Sequence, residues 1–275
     1  MKKIMLFVLS LCMCFTVFGG SAFAETAQAE APAAEKPAAE MTAEELYQAG
    51  EDAKDAEDYG KALEYYQLAA DAGSTEAWGM IGDLYTMGLG VEQDYSKAFE
   101  YYQKAADLGN ADAIFLLGSL YYYGEGVEQD YDKALEYYQK AADLSQPMAL
   151  NNLGYMYETG QGVEQDYGLA MKYYQQAADL GEAFAYTGLG DLYRYGKGVE
   201  QDYAKAVEYY TLAAEGGEPA GMFEIGSCYD LGQGVEKDPD KAAEWYRKAL
   251  DAGYEPDEED QAHLKEVLGD EYQTK

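Results

Sequence analysis

The hydrophobic and polar positions of this chain follow a helical period, and that period is itself repeated. In Asp94-Tyr95-Ser96-Lys97-Ala98-Phe99-Glu100-Tyr101-Tyr102-Gln103-Lys104-Ala105-Ala106-Asp107-Leu108-Gly109, the residues Ala98, Tyr102, Ala105 and Ala106 share one helical stripe. Asp94 is placed as N-cap, its carboxylate accepting from free amides of the first turn, and Gly109 ends the helix. The first helix of the same unit runs through Ala77-Trp78-Gly79-Met80-Ile81-Gly82-Asp83-Leu84-Tyr85. The phrase between the two, Gly-Val-Glu-Gln-Asp-Tyr, stands at Gly90–Tyr95, Gly126–Tyr131, Gly162–Tyr167 and Gly198–Tyr203, with the variant Gly234–Pro239 following. The starts are 36 residues apart with no insertion. A fixed period of this length predicts an all-α solenoid in which each helix pair packs on its neighbours. Pro239 supports the helix start, because the first helical position tolerates a missing N–H.

Two glycine patterns recur. Gly82, Gly118, Gly154, Gly190 and Gly226 lie inside the first helices, where glycine costs about 1 kcal/mol against alanine. Close approach of the paired helix is the expected compensation. The Gly-x-Gly pairs Gly88/Gly90, Gly124/Gly126, Gly160/Gly162, Gly196/Gly198 and Gly232/Gly234 follow helices and lack the third glycine or the lysine of a phosphate cradle. They read as turns.

The remaining sequence sets the organisation. Lys2 and Lys3, the apolar run Ile4–Phe18 and Ala22-Phe23-Ala24 read as an export signal over residues 1–24, cleaved before Glu25. A lipid anchor on Cys12 or Cys14 is the rival, but Leu11 and Met13 stand where that processing needs a small residue. Residues 25–41, rich in Ala, Glu and Pro, read as a disordered leader. Helix pairs then fill 42–253. The stretch 254–275, with Leu264, Val267 and Leu268 on one face, reads as a capping helix and tail. The formal charge of −33 becomes more negative once Lys2 and Lys3 are removed, which disfavours nucleic acid and anionic membrane surfaces and favours basic partners. Cys228 alone would survive cleavage, at a position held elsewhere by Leu84, Leu120, Met156 and Leu192. It reads as a buried apolar residue.

The pattern of Ala113, Leu117, Gly118, Leu120, Tyr121, Gly124, Gly126, Val127, Asp130, Lys133, Ala134, Tyr137, Tyr138, Ala141 and Ala142 resembles the Sel1-like repeat, a relative of the tetratricopeptide repeat. The resemblance covers five units over 74–253. The family's usual second-helix tryptophan appears as Trp245, with Tyr65, Tyr101, Tyr137, Tyr173 and Tyr209 standing in elsewhere. Residues 42–73 differ: Gly50 lies 12 residues before Ala62, whereas Gly82 lies 16 before Ala98, so this unit looks like a true tetratricopeptide repeat acting as N-terminal cap. The resemblance implies a right-handed α-superhelix of six helix pairs plus one helix, with first helices lining a concave face. A single mature cysteine separates the chain from the family's disulfide-rich exported branch.

Catalytic chemistry has little to stand on. His263 is the one histidine and reads as a surface residue; serine accompanies no nucleophile motif, and acids fall at repeating surface positions. No cofactor and no metal is expected, since the acidic loops lack EF-hand spacing. Mapped by the resemblance, the concave positions are Tyr47, then Glu76, Asp83 and Met87, then Asp112, Phe115, Tyr122 and Tyr123. Asn151, Tyr155 and Glu158 follow, then Phe184, Asp191, Arg194 and Tyr195, and last Phe223 and Asp230. These vary between repeats while the frame does not. Aromatics interleaved with acids suit an extended peptide carrying Lys or Arg, unless superhelical packing buries the aromatics. The expectation is an exported, non-catalytic scaffold for a basic protein or peptide. The alternative is a binder of cell-wall glycan or peptidoglycan, or a weak hydrolase of it, which needs only two acids.

Overall fold

The computed structural model describes residues 37–269 and Tyr272. The export segment at 1–24, most of the 25–41 leader and the end of the tail lie outside the described residues. Among the described residues there are thirteen α-helices and no strand. The chain falls into two compact units divided after Ala98, and each is taken by itself.

The first unit opens with a short 3-10 turn, Ala38–Glu40, inside the stretch expected to be an unstructured leader. Pro37 sets it up, its carbonyl accepting from Glu40 N at 2.8 Å. Helix α1 (Ala43–Asp55) starts with a capping box: the Thr42 hydroxyl accepts from Glu45 N, and Thr42 N donates to the Glu45 carboxylate at 2.7 Å. Helix α2 (Tyr59–Asp71) follows after the brief link Ala56–Asp58. Helix α3 (Thr75–Met87) is joined to α4 (Tyr95–Asp107) by the longer loop Gly88–Asp94, and the unit boundary lies inside α4.

The second unit carries four helix pairs and a last helix. The pairs are α5 (Ala111–Tyr123) with α6 (Tyr131–Asp143), α7 (Pro147–Thr159) with α8 (Tyr167–Asp179), α9 (Ala183–Tyr195) with α10 (Tyr203–Glu215), and α11 (Pro219–Leu231) with α12 (Pro239–Asp251). Helix α13 (Glu258–Leu268) closes the array. Leu264 and Leu268 are buried there against Phe223, Tyr246 and Ala249.

Several residues in and around the repeated phrase have mechanical roles. The first glycine of every Gly-x-Gly caps its helix in the left-handed conformation, as at Gly160 (φ 72°) and Gly196 (φ 65°). The glutamine turns back to the helix it follows: Gln129 Nε2 donates to the Tyr122 carbonyl at 2.8 Å, Gln165 to Glu158 at 2.8 Å and Gln201 to Arg194 at 2.7 Å. The aspartate caps the next helix, Asp130 accepting from Lys133 N at 3.0 Å and Asp202 from Lys205 N at 3.0 Å. Beyond it, Lys133 lies 4.8 Å over the Tyr121 ring and Lys205 lies 4.1 Å over that of Tyr193.

The interior glycines answer to a specific ring. A Cβ on Gly118 would stand 2.8 Å from the Tyr138 ring; on Gly154 it would meet Tyr174 at 2.6 Å, and on Gly226 it would meet Tyr246 at 2.7 Å. In the first unit Gly50 faces Tyr66 in the same way. These tyrosines are almost wholly buried. The second-helix ring therefore lies flat across a first helix that has no side chain at that point, and flanking alanines such as Ala170, Ala177 and Ala185 close the core around it. Cys228 is buried there too, with burial pushing its thiol up to about 11.

One repeat breaks the turn rule. Gly109, Gly181 and Gly217 hold positive φ after the second helices, but the corresponding Ser145 sits at φ 63°. A left-handed serine carries strain that glycine does not.

Three substitutions test this frame by thermal and chemical unfolding. Gly154→Ala is expected to destabilise the protein by about 1–3 kcal/mol through overpacking against Tyr174. Gly79→Ala, in an α3 position with nothing within 4 Å of a new Cβ, is expected to gain about 1 kcal/mol from helix propensity alone. Ser145→Gly is expected to raise the unfolding midpoint, gaining roughly 0.5–1 kcal/mol. Equal effects of the two alanine substitutions would refute the ring-crossing account.

Candidate functional site

In the second unit α7 contacts α9 and α9 contacts α11, so the first helices of three successive pairs make one face. Tyr155 and Tyr195 stand out from it, 44% and 57% exposed. On the same three helices Glu158, Asp191 and Glu224 supply one acid each. Glu158 accepts from the Tyr174 hydroxyl at 2.8 Å and from Lys197 Nζ at 2.9 Å. Asp191 accepts from the Tyr210 hydroxyl at 2.6 Å. Glu224 pairs with Arg194. The tyrosines that cross the interior glycines thus deliver their hydroxyls to this face, where they hold its carboxylates.

A second set of bonds ties each repeat to the next. The Tyr122 hydroxyl donates to Gln161 Oε1, Lys197 Nζ donates to Glu158, and Arg194 Nε donates to Gln233 Oε1 at 3.1 Å. In all three the partners are 39 residues apart. One partner comes from the last turn of a first helix. The other is the middle residue of the next Gly-x-Gly, a segment that reads from the sequence as a turn and nothing more. The fixed 39-residue offset, with chemically matched ends, is the signal that would have found it.

The electrostatics follow from burial. Burial raises the Asp191 carboxyl above its ordinary value; the Tyr210 hydrogen bond and the cations Lys197 and Arg194 work against this, and Glu158 works with it. Burial pushes Glu224 up to about 7 despite Arg194. Burial disfavours the Lys197 ammonium, yet the hydrogen bond and charge of Glu158, with Asp191, carry it above an ordinary lysine.

Several positions expected on the binding face turn inward. Phe115 is 3% exposed and stacks on the Tyr138 ring at 5.6 Å. Phe223 is buried between the rings of Tyr246 at 5.0 Å and Tyr254 at 4.4 Å. The cause is the crossing tyrosine, which gives each phenylalanine a partner in the core; such pairs add about 0.5–1.5 kcal/mol beyond area burial. Arg194 is also buried, its three nitrogens taken by Glu224, Ser227 and Gln233. Asp230 lies against His263 of α13, at 3.3 Å, and His263 also meets the Tyr246 hydroxyl at 3.2 Å. His263 is thus part of the end cap rather than a plain surface residue.

The other positions stay nearer the surface. Asp112 is exposed and accepts from Gln146 Nε2 at 3.3 Å. Tyr122 and Tyr123 are half-buried, their rings 4.9 Å apart, and Asn151 and Phe184 are half-buried as well. In the first unit Tyr47 is half-buried 5.8 Å from the Tyr66 ring, and burial with Glu51, Glu76 and Asp83 pushes its hydroxyl up to about 12. Glu76 is exposed, while Asp83 and Met87 are half-buried.

Among the described residues no three His, Cys, Asp or Glu side chains gather as a metal site. No described helix is long and apolar enough to cross a membrane.

The Sel1 repeat family model matches residues 37–74, 79–110, 111–146, 147–182, 183–218 and 219–254, so the first unit, expected from its shorter loop to be a tetratricopeptide repeat, is matched as a Sel1 repeat too. A Sel1 repeat protein from Oxalobacter formigenes is 33% identical, with 80% of this chain and 89% of that one covered and a TM-score of 0.73. The protective antigen c5321 of uropathogenic Escherichia coli, described as having an SLR fold, is 31% identical with a TM-score of 0.64; 82% of this chain is covered, but only 49% of that one. The immunity protein Pa5087 of Pseudomonas aeruginosa is 26% identical over 76% of this chain and 81% of that one, with a TM-score of 0.56. No curated protein matches the chain. With six matched units, helix pairs throughout and these structural relatives, the chain belongs to the Sel1 repeat family, whose helix-pair solenoids generally serve as scaffolds for protein interaction.

Proposed function

We propose that the chain is an exported, non-catalytic adaptor that binds a basic protein or peptide on the first-helix face of its repeats. The observation that carries this reading is the face shared by α7, α9 and α11. There Tyr155 and Tyr195 are exposed, and Glu158, Asp191 and Glu224 supply one acid from each helix. Exposed tyrosine beside carboxylate suits a Lys- or Arg-bearing chain, through stacking and ion pairing. The formal charge of −33 adds long-range attraction for such a partner. Export rests on the residue pattern at 1–24, with the adaptor acting in a periplasmic or extracellular space. No reactive group is needed for this role, and neither nucleic acid nor an anionic bilayer is a suitable ligand for a chain of this charge.

The test uses the chain from Glu25 to Lys275, immobilised and exposed to envelope proteins of its own cell, beside a Tyr155→Ala/Tyr195→Ala variant. A basic protein retained by the parent and reduced about tenfold or more by the double variant is the expected outcome, since exposed aromatic anchors carry much of an interface's energy. Elution by rising salt should follow, because surface attractions are screened within about 10 Å at 0.1 M. Equal retention by a folded double variant would place the binding surface elsewhere. Saturable, salt-resistant binding to purified wall polymer would instead support the wall-directed reading.

A further inference from the structure

A side chain of this protein already occupies part of the proposed face. Lys197 is the middle residue of Gly196-Lys197-Gly198, and both glycines have positive φ, 65° and 72°. Its ammonium reaches Glu158 Oε1 at 2.9 Å and lies 5.4 Å from the centre of the exposed Tyr195 ring, and Asp191 acts on it through its charge. Glu158 and Asp191 are each held by a tyrosine hydroxyl, Tyr174 and Tyr210. Two oriented carboxylates with an aromatic ring alongside form a seat shaped for an alkylammonium group. Lys197 leaves the Glu158 side chain only 12% exposed, while it is itself 35% exposed. The equivalent loop residues on either side, Gln161 and Gln233, are neutral and take part in the same 39-residue linkage. The link itself therefore does not require a lysine.

We propose that Glu158, Asp191 and Tyr195 form a lysine-recognition subsite, and that Lys197 is its resident competitor, displaced when a lysine side chain of an extended partner enters. The exchange replaces one Glu158–ammonium pair with another. The Lys197 ammonium stands at the end of a four-carbon stem that can swing clear while the loop backbone stays in place, and a flexible point charge releases more readily than a forked guanidinium. The competitor lowers the apparent affinity by the fraction of time that the seat is open, which makes the subsite selective for partners with further contacts along the face. The inference rests on the basic-partner reading above.

The probe is acetylated tetralysine amide, titrated at low salt against the chain from Glu25 to Lys275. Lys197→Met is expected to tighten binding by about fivefold or more, because the seat is then always open. Lys172→Met removes one exposed lysine of α8 and changes the net charge equally; it should leave the affinity within about twofold, since a distant exposed charge is screened. Adding Glu158→Gln to Lys197→Met should return the affinity to the parent level or below. Circular dichroism checks that every variant retains its helix content. Equal effects of the two methionine substitutions, or tight binding that survives Glu158→Gln, would overturn the proposal. So would spermine binding as tightly as the peptide, since the seat would then serve a free polyamine. The assay needs no natural partner. A seat that behaves as expected, while no envelope protein depends on Tyr155 and Tyr195, would remove the adaptor reading and leave the seat. Retention of a partner through the two tyrosines with no Lys197 effect would do the reverse.

Discussion

The structure depends on one contact: the ring of a second-helix tyrosine lying across a first-helix glycine. It fixes how closely the two helices of a pair approach, and at Gly154 even one added methyl would meet the Tyr174 ring. The same ring carries its hydroxyl through to the opposite face. There it reaches Glu158 from Tyr174 and Asp191 from Tyr210, and it comes within 3.2 Å of Ser119 from Tyr138. Packing and electrostatics are thus set by one residue. An aliphatic side chain of similar volume would fill the core but take a hydroxyl donor away from Glu158 and from Asp191.

Around this frame the repeats differ where a face can differ. The loop glutamine and aspartate bond to backbone, which is the same in every repeat, so the aspartate recurs in all five loops and the glutamine in four, with Lys237 in the fifth. The residue between the two glycines bonds to a side chain of the preceding repeat. That partner changes from Tyr122 to Glu158 to Arg194, and the loop residue changes with it.

Much of this was legible in the sequence because it is local. The period, the aspartate caps and the first-helix starts each depend on residues within a few positions of one another, and Thr42, Asp130 and Asp202 cap where their residue types suggest. The repeated interior glycine also signalled a close approach, though not which atoms approached. The direction of side chains on the first-helix face was less legible. Phe115 and Phe223 carry the same residue type as the half-buried Phe184, but the first two meet tyrosine rings in the core. Arg194 and His263 look like exposed charge in a linear reading. Their surroundings come from residues at least 17 positions away, beyond the reach of any helical pattern.

The 39-residue pairs also give the array a grammar. The frame alone would allow any repeat from residue 75 onward to be copied, lost or moved, since these units present the same helices at the same spacing. The pairs do not allow it freely. A tandem copy of residues 183–218 would set the arginine of one copy against the lysine of the next, two like charges at a position where Arg194 now meets Gln233. Removing that repeat would leave Glu158 opposite Gln233 and take away its lysine. The units are interchangeable as building blocks but not as neighbours, so the order of the repeats is itself inherited information.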